Sequence, residues 1–364
     1  MLKFYALMVM SLFFTTVVYA QDGEVPLLDK ETVSTEQDKN KTTEITENKD
    51  VLFEFMGIKI PNFISSSSSS SSNPDKDNSI SAVSRRAENG DIAAQLQLGY
   101  IYLYGQEGLN PDYEKAFYYY DLAAKQNDMI GLNNLATLYY NGVGVKRSPH
   151  KAAALFAQAA KLGNADAATN LGFMYISGFG IARDSVKGQE YLEQAADKGN
   201  VLAGFMTGYA YYKGINRSIN YHKAAPLIKK AADDGLDEAQ LVIADIYMKG
   251  LGYPRNYNAA VNYLLKAYSQ GSIAAMMLLG DIYSGKTKYP ADPLGAYVMY
   301  SLASVRGIAQ AAEKLQILES QLDIEKVSQA QEQTANYVEK PSKLTTYVKQ
   351  TYGNNLRRFL NKTI

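Results

Sequence analysis

The stretch that decides the fold is ADAATNLGFMYISGFGIARDSVKGQEYLEQAADKGN, residues 165–200. It places Gly172 three residues before Tyr175, Gly178 three residues after it, and Gly199 near its end. The same pattern returns along the chain at steps of 36 residues, with one step of 37. A recurrence with this period is typical of an array of helical repeats.

Two series of residues define the repeat. The first is a tyrosine ladder: Tyr102, Tyr139, Tyr175, Tyr211, Tyr247 and Tyr283. The second is a small residue three places earlier: Gly99, Ala136, Gly172, Gly208, Ala244 and Gly280. Because each tyrosine keeps this fixed neighbour, we interpret the ladder as a structural feature inside each repeat and not as a binding stripe.

Each repeat predicts two helices. The first ends at a glycine that accepts the left-handed conformation, as at Gly178, and Asn127 replaces the glycine that closes the second helix of the first repeat. The second helices begin after regularly spaced capping residues: Asp112, Ser148, Asp184, Asn220, Asn256 and Asp292. We therefore predict an all-α fold, a right-handed superhelical α-solenoid of about six helix-turn-helix repeats of 36–37 residues with capping helices at both ends. The sixth repeat departs from the pattern, since Gly285 comes one place early.

Composition divides the chain into regions. These are a signal peptide at 1–20, a disordered linker at 21–80, the solenoid with its C-terminal cap at 81–340 and a basic tail at 341–364. Lys3 before an apolar run and Ala20 at a small-residue cleavage site are typical of an export signal. The linker has few apolar residues except in the segment 51–64, and it contains a run of serines at 65–72.

Two segments leave alternatives open. The apolar segment 51–64 either packs back on the solenoid or docks on a partner or a membrane surface. The tail at 341–364 is basic and has no acidic side chain. It is either solvated or a short amphipathic piece, with Leu356, Phe359 and Leu360 on one face, that touches an anionic surface.

Composition also limits the chemistry. The chain has no cysteine, which excludes disulfides, thiolate metal sites and cysteine nucleophiles. Basic and acidic residues number 37 each, so no overall charge favours nucleic acid. There are two histidines and no zinc spacing, phosphate-binding loop or nucleophile motif. We expect a protein that is not an enzyme and needs no cofactor or metal.

Repeat three resembles the Sel1-like repeat family, a subfamily of tetratricopeptide-related α-solenoids. The matching residues are Ala167, Leu171, Gly172, Tyr175, Gly178, Gly180, Asp184, Ala195, Ala196 and Gly199. This resemblance implies a scaffold that holds other proteins or peptides. Exported bacterial members of the family resemble envelope, host-interaction or virulence proteins.

The partner-binding residues are expected on the concave face lined by the first helices, where the repeats differ from one another. The candidates are Gln97, Tyr100, Asn134, Asn170, Phe173, Tyr209, Asp245 and Asp281. Side-chain amides can hydrogen-bond an extended peptide backbone while aromatic rings pack on its side chains. The alternative is that some of these residues belong to the core.

The function predicted from the sequence is that of a non-catalytic interaction scaffold in the periplasm, at the outer membrane or in the secreted space. One alternative is an exported hydrolase of cell-wall or drug substrates that uses Asp245 and Asp281 as a carboxylate pair. A second alternative is a membrane-associated structural organiser. The expected partners are proteins or peptides, with membrane contact through 51–64 or 341–364 as a further option and no nucleic acid.

Overall fold

The computed structural model describes residues 79–361, and within this range it contains sixteen α-helices and no strand. The prediction of an all-α fold is confirmed. The predicted signal peptide and most of the linker, including the segments 51–64 and 65–72, lie outside the described residues.

Six pairs of helices follow the repeat. We call the first helix of each pair its A helix and the second its B helix. The A helices are α2 (Ile92–Tyr104), α4 (Met129–Asn141), α6 (Ala165–Ser177), α8 (Val201–Lys213), α10 (Asp237–Lys249) and α12 (Ile273–Asp281). The B helices are α3 (Tyr113–Lys125), α5 (Pro149–Lys161), α7 (Ser185–Asp197), α9 (Tyr221–Asp233), α11 (Tyr257–Ser269) and α13 (Pro293–Val305). The other helices are α1 (Ile80–Glu88), α14 (Ala309–Glu319), α15 (Ile324–Ala335) and α16 (Lys343–Asn361).

The described chain divides into two compact units. The N-terminal unit contains α1 to α8 together with Tyr347–Phe359 of α16, and the C-terminal unit contains Asn220–Thr346. In the N-terminal unit each helix from α1 to α7 packs on the helix that follows it, which ends the series at α8. In the C-terminal unit the same holds from α9 to α14, and α15 packs on α13.

The B helices begin where the capping pattern predicts. Each of the six capping side chains accepts a hydrogen bond from the backbone N–H three residues later. The donor–acceptor distances run from 2.9 Å at Asn256 to 3.4 Å at Ser148. Each cap stabilises its helix by about 1 kcal/mol. Asn127 has a φ of +58°, so it takes the left-handed conformation that glycine adopts in the other repeats.

The ladder tyrosines are only partly buried. The carbonyl of Tyr175 accepts the N–H of the next cap, Asp184, at 2.9 Å, and its ring stacks on Tyr191 with centroids 5.6 Å apart. The Lys187 ammonium lies 4.7 Å from the centre of the same ring. The carbonyls of Tyr102, Tyr139, Tyr247 and Tyr283 accept the corresponding hydrogen bond from the cap of their own repeat. In these repeats the ladder tyrosine joins the end of the A helix to the start of the B helix, and it is not part of the innermost core.

In the first, third and sixth repeats the small residue before the tyrosine lies against a side chain of the B helix. A Cβ added at Gly99 would lie 2.6 Å from the Cε1 atom of Tyr120, and one at Gly280 would lie 2.5 Å from the Cε1 atom of Tyr300. Both tyrosines are fully buried. Glycine at these two positions therefore leaves the space that a buried tyrosine ring needs.

The sixth repeat keeps the helix pair but ends its A helix differently. Helix α12 passes into a π-helical turn, Ile282–Lys286, in which Gly285 has a φ of +84°. The early glycine of the sequence pattern marks this change.

The described part of 341–364 is helical and packed, so the interpretation as a solvated tail is wrong for these residues. Ser342 precedes helix α16, and its Oγ accepts a hydrogen bond from the backbone N–H of Thr345 at 2.9 Å. In the C-terminal unit the hydroxyls of Ser342 and Thr345 both donate to the carbonyl oxygen of Gly235, at 2.7 and 2.9 Å. The Gln270 side-chain amide donates to the same carbonyl at 3.1 Å, so the start of α16 joins a hydrogen-bond network of the C-terminal unit.

Candidate functional site

Six of the predicted binding residues lie in the N-terminal unit, on its A helices. We call this surface the A-helix face. Its predicted members are Gln97, Tyr100, Asn134, Asn170, Phe173 and Tyr209. The structure leaves Gln97 and Tyr100 partly exposed and buries the other four.

Phe173 and Tyr209 are covered by α16. The ring of Phe173 stacks on Tyr352 with centroids 5.4 Å apart and an angle of 25° between the planes. The ring of Tyr209 lies 6.1 Å from that of Phe359 at 56°. Aromatic pairs at such distances contribute about 0.5–1.5 kcal/mol beyond the area that they bury. The structure therefore brings these two predicted residues together under a single helix.

Helix α16 presents an apolar stripe within the N-terminal unit. Its members are Val348, Tyr352, Leu356 and Phe359, and none is more than 5% exposed. Their spacing of four, four and three residues puts them on one side of an α-helix. Complete burial of side chains of this size contributes about 1.5–3 kcal/mol each. The segment Tyr347–Phe359 is thus bound as an amphipathic helix.

The two predicted asparagines differ in their hydrogen bonding. Asn134 is fully buried, and its side-chain oxygen accepts a hydrogen bond from the side-chain amide of Asn133 at 3.2 Å. Asn170 is 2% exposed, and neither atom of its amide makes a hydrogen bond to any residue that the structure describes. An unsatisfied buried group of this kind costs about 1–3 kcal/mol. Asn170 is one helical turn before Phe173, beside the ring that α16 covers.

Two tyrosines of α16 add to this polar region. The hydroxyls of Tyr347 and Tyr352 are buried, and among the described residues neither has a hydrogen-bond partner of normal geometry. Burial raises the pKa of Tyr347 to about 12, and the negative charge of Asp166 acts in the same direction. Burial also raises the pKa of Tyr352 well above its ordinary value. Both hydroxyls therefore stay neutral near pH 7.

The partly exposed end of the A-helix face is aromatic. Tyr100 lies with its ring 4.5 Å from that of Tyr104, and its hydroxyl accepts a hydrogen bond from the side-chain amide of Gln106 at 3.3 Å. Gln97 is one turn earlier on the same helix. This end of the face offers an amide and two rings to a partner without any rearrangement of buried residues.

Asp245 and Asp281 belong to the C-terminal unit, and each is paired with lysine. The Asp245 carboxylate forms an ion pair with Lys249, with 2.8 Å between Oδ1 and Nζ. One carboxylate oxygen of Asp281 accepts hydrogen bonds from Tyr300, Lys314 and Lys286 at 2.7, 2.7 and 3.1 Å. Burial acts to raise the pKa of Asp281, but these three hydrogen bonds outweigh burial and hold its pKa below the ordinary value. A carboxylate held in this way is a poor general base at neutral pH.

Neither a metal centre nor a membrane span emerges from the described part of the chain. Among residues 79–361, no three His, Cys, Asp or Glu side chains are grouped so that they could hold a metal ion. No helix among these residues combines the length and the apolar composition needed to cross a bilayer.

Comparison with protein families gives five matches to the Sel1 repeat, at residues 92–128, 130–164, 165–200, 202–236 and 237–272. The chain contains five Sel1 repeats. The boundaries of the matches follow the helix pairs of the first five repeats. The sixth pair, α12 and α13, carries the π-helical turn and is not matched.

Solved structures similar to this chain include Sel1 repeat proteins. One from Oxalobacter formigenes has 25% identity and a TM-score of 0.55, and the match covers 63% of this chain and 94% of that one. A protective antigen of uropathogenic Escherichia coli with an SLR fold has 24% identity and a TM-score of 0.49. That match covers 78% of this chain and 66% of the antigen, just under two thirds of its length. Comparison with functionally curated proteins finds no match. The solenoid prediction is confirmed by the repeat matches and by the Oxalobacter structure.

Sequence reasoning missed the part of the chain that covers the A-helix face. Leu356 and Phe359 were visible as an apolar side of the basic tail, but Val348 and Tyr352 were not included. The signal that could have found them is the spacing of four, four and three residues after Pro341, which predicts one longer amphipathic helix. Sel1 repeat proteins are generally scaffolds for protein interactions and are typically non-catalytic.

Proposed function

We propose that this protein is an exported, non-catalytic scaffold that binds partner proteins on the A-helix face of its N-terminal unit. The observation that carries the proposal is the seating of Tyr347–Phe359 on that face through Phe173 and Tyr209. This segment lies outside the repeats, so a surface that buries it has the shape and the polarity to bind a protein segment. The positions involved are those at which the repeats differ, as expected for a surface that selects a partner.

Export is supported by the sequence of residues 1–20, and the protein would then act in the periplasm, at the outer membrane or in the secreted space, with host interaction as one setting. The test is the N-terminus of the protein recovered from the cells that produce it. Intact mass and N-terminal sequencing should give a chain that begins at Gln21, after cleavage behind Ala20. A protein that retains Met1 and fractionates with the cytoplasm would contradict this part of the proposal.

Partner binding is tested by site-specific photo-cross-linking in the producing cells. A benzophenone amino acid replaces Tyr100, which is partly exposed on the A-helix face. The matched control replaces Val186, which is 59% exposed at the start of a B helix. We expect protein cross-links at position 100 that are absent at position 186. Equal cross-linking at both positions, or none at position 100, would contradict binding on the A-helix face.

A further inference from the structure

We propose that the A-helix face is a groove for an amphipathic helix with aromatic anchors, and that Tyr347–Phe359 competes with the partner for this groove within the same chain. This inference rests on the proposed function and adds to it the class of the partner and a means of regulation. It replaces the expectation that the face binds an extended peptide.

The form of the bound segment indicates a helical partner. The buried residues Val348, Tyr352 and Phe359 are separated by four and seven positions, a spacing that returns to one side of an α-helix. An extended peptide would bury every second residue instead. The face therefore accepts one side of a helix, as in other complexes in which a groove binds a helix.

Two ring contacts define where the partner needs aromatic residues. Tyr352 stacks on Phe173, and Phe359 packs on Tyr209. The two rings of α16 are seven residues apart, or two helical turns. We therefore expect the partner helix to carry aromatic side chains at positions i and i+7, with aliphatic side chains one turn before each.

The fit of α16 is incomplete in its polar contacts. The Asn170 amide is buried without a hydrogen-bond partner among the described residues, and the buried hydroxyls of Tyr347 and Tyr352 have no partner of normal geometry there. A buried polar group left unpaired weakens binding relative to one that is paired. A partner helix with a hydrogen-bonding side chain opposite Asn170 would gain a bond that α16 does not make. This difference lets a partner displace a segment that is always present.

Competition within the chain lowers the apparent affinity of the groove. The apparent dissociation constant equals the intrinsic constant divided by the fraction of molecules with an open groove. Substitutions that weaken the seating of α16 raise this fraction, so they should tighten binding in trans. A substitution in the groove itself should weaken the binding of α16 and of the partner helix alike. The two kinds of substitution thus change the affinity for an added helix in opposite directions, which distinguishes competition from a general loss of structure.

The experiment measures binding of a fluorescein-labelled peptide of residues 343–364 by fluorescence anisotropy. The receptor is the chain from Gln21 to Ile364, either unchanged or with Tyr352→Ala and Phe359→Ala. The control variant is Lys349→Ala, which changes an exposed position of the same helix. A third variant adds Phe173→Ala to the double substitution. Thermal unfolding followed by circular dichroism establishes that each variant keeps its helices.

We expect the double variant to bind the peptide at least about tenfold more tightly than the unchanged chain, since an open fraction of one tenth gives this factor. Lys349→Ala should bind like the unchanged chain, and Phe173→Ala should remove the gain. The single Phe359→Ala variant should also bind the peptide more tightly than the unchanged chain, but by a smaller factor than the double variant. Equal affinities of the unchanged and double variants would overturn the proposal, as would a gain that survives Phe173→Ala.

The outcome is separable from that of the proposed function. Cross-links at position 100 together with equal peptide affinities would leave the scaffold proposal intact and reject competition by α16. Tighter peptide binding by the double variant, without any cross-link at position 100, would support the helix groove and count against partner binding in the cell.

Discussion

Gly99 and Gly280 show how a single missing Cβ sets the packing of a repeat. Each lies on an A helix against a fully buried tyrosine of the following B helix, Tyr120 or Tyr300. The corresponding positions of the fifth repeat hold Ala244 and Leu264. In the first and sixth repeats glycine at the A-helix position therefore leaves room for a tyrosine ring of the B helix.

The first prediction compares two helical glycines. Gly99→Ala should lower the free energy of unfolding by about 1–3 kcal/mol, because its Cβ would lie 2.6 Å from the Tyr120 ring. Gly204→Ala is the control, since an added Cβ there meets no atom within 4 Å. Gly204→Ala should raise the free energy of unfolding by up to about 1 kcal/mol, because alanine has a higher helix propensity than glycine. Urea denaturation followed by circular dichroism measures both. Equal stabilities of the two variants would show that the tyrosine does not set this position.

The second prediction concerns Asn134 and Asn170, the two asparagines of the predicted binding set. Asn170→Leu should be neutral or stabilise the chain by about 1 kcal/mol, because it removes an amide that has no partner among the described residues. Asn134→Leu should cost about 1–3 kcal/mol, because it removes the acceptor of the Asn133 side chain. Urea denaturation of the two variants gives the comparison. A larger loss at position 170 than at position 134 would contradict this assignment of hydrogen bonds.

At the scale of the element, the local rules of helix formation could be predicted from the sequence, and long-range contacts could not. All six capping residues accept the predicted hydrogen bonds, because a cap depends only on its own residue and the next three. The seating of α16 depends on Phe173 and Tyr209, which lie far away in the sequence. The repeat pattern does not predict the contact of α16 with these two residues, so the sequence also allows 341–364 to be interpreted as a solvated tail.

The third prediction follows from the hydrogen bonds of Asp281 in the C-terminal unit. The folded-state pKa of Asp281 is lowered, so its contribution is present above the ordinary carboxyl pKa and is lost as the pH falls through the lowered value. Asp281→Asn should therefore cost about 1–3 kcal/mol at pH 7, and the difference from the unchanged chain should shrink below about pH 4. Asp245→Asn, the control, removes one surface pair with Lys249 and should cost about 0.5 kcal/mol or less. Urea midpoints across this pH range test both. A cost at Asp281 that does not change with pH would contradict the pKa assignment.

At the scale of the whole molecule, the chain combines a regular array with helices that do not repeat, among them α16. The array gives stability through caps, small residues and buried B-helix side chains, and these features identified the Sel1 repeats. The candidate site could be predicted only as a set of variable positions on the A helices. What those positions bind depends on α16, whose apolar residues follow the period of a single helix and not the period of the array.

The central claim is that α16 occupies the A-helix face and leaves it when a helical partner binds. The absence of cysteine allows a direct test, since a single introduced thiol can be followed by its rate of alkylation. Leu356 is 2% exposed, and Ile324, the control position on α15, is 88% exposed. We expect Leu356→Cys to react at least about tenfold more slowly than Ile324→Cys, and an excess of the 343–364 peptide to increase the rate at position 356 alone. Equal rates at the two positions, or no effect of the peptide at position 356, would contradict the account.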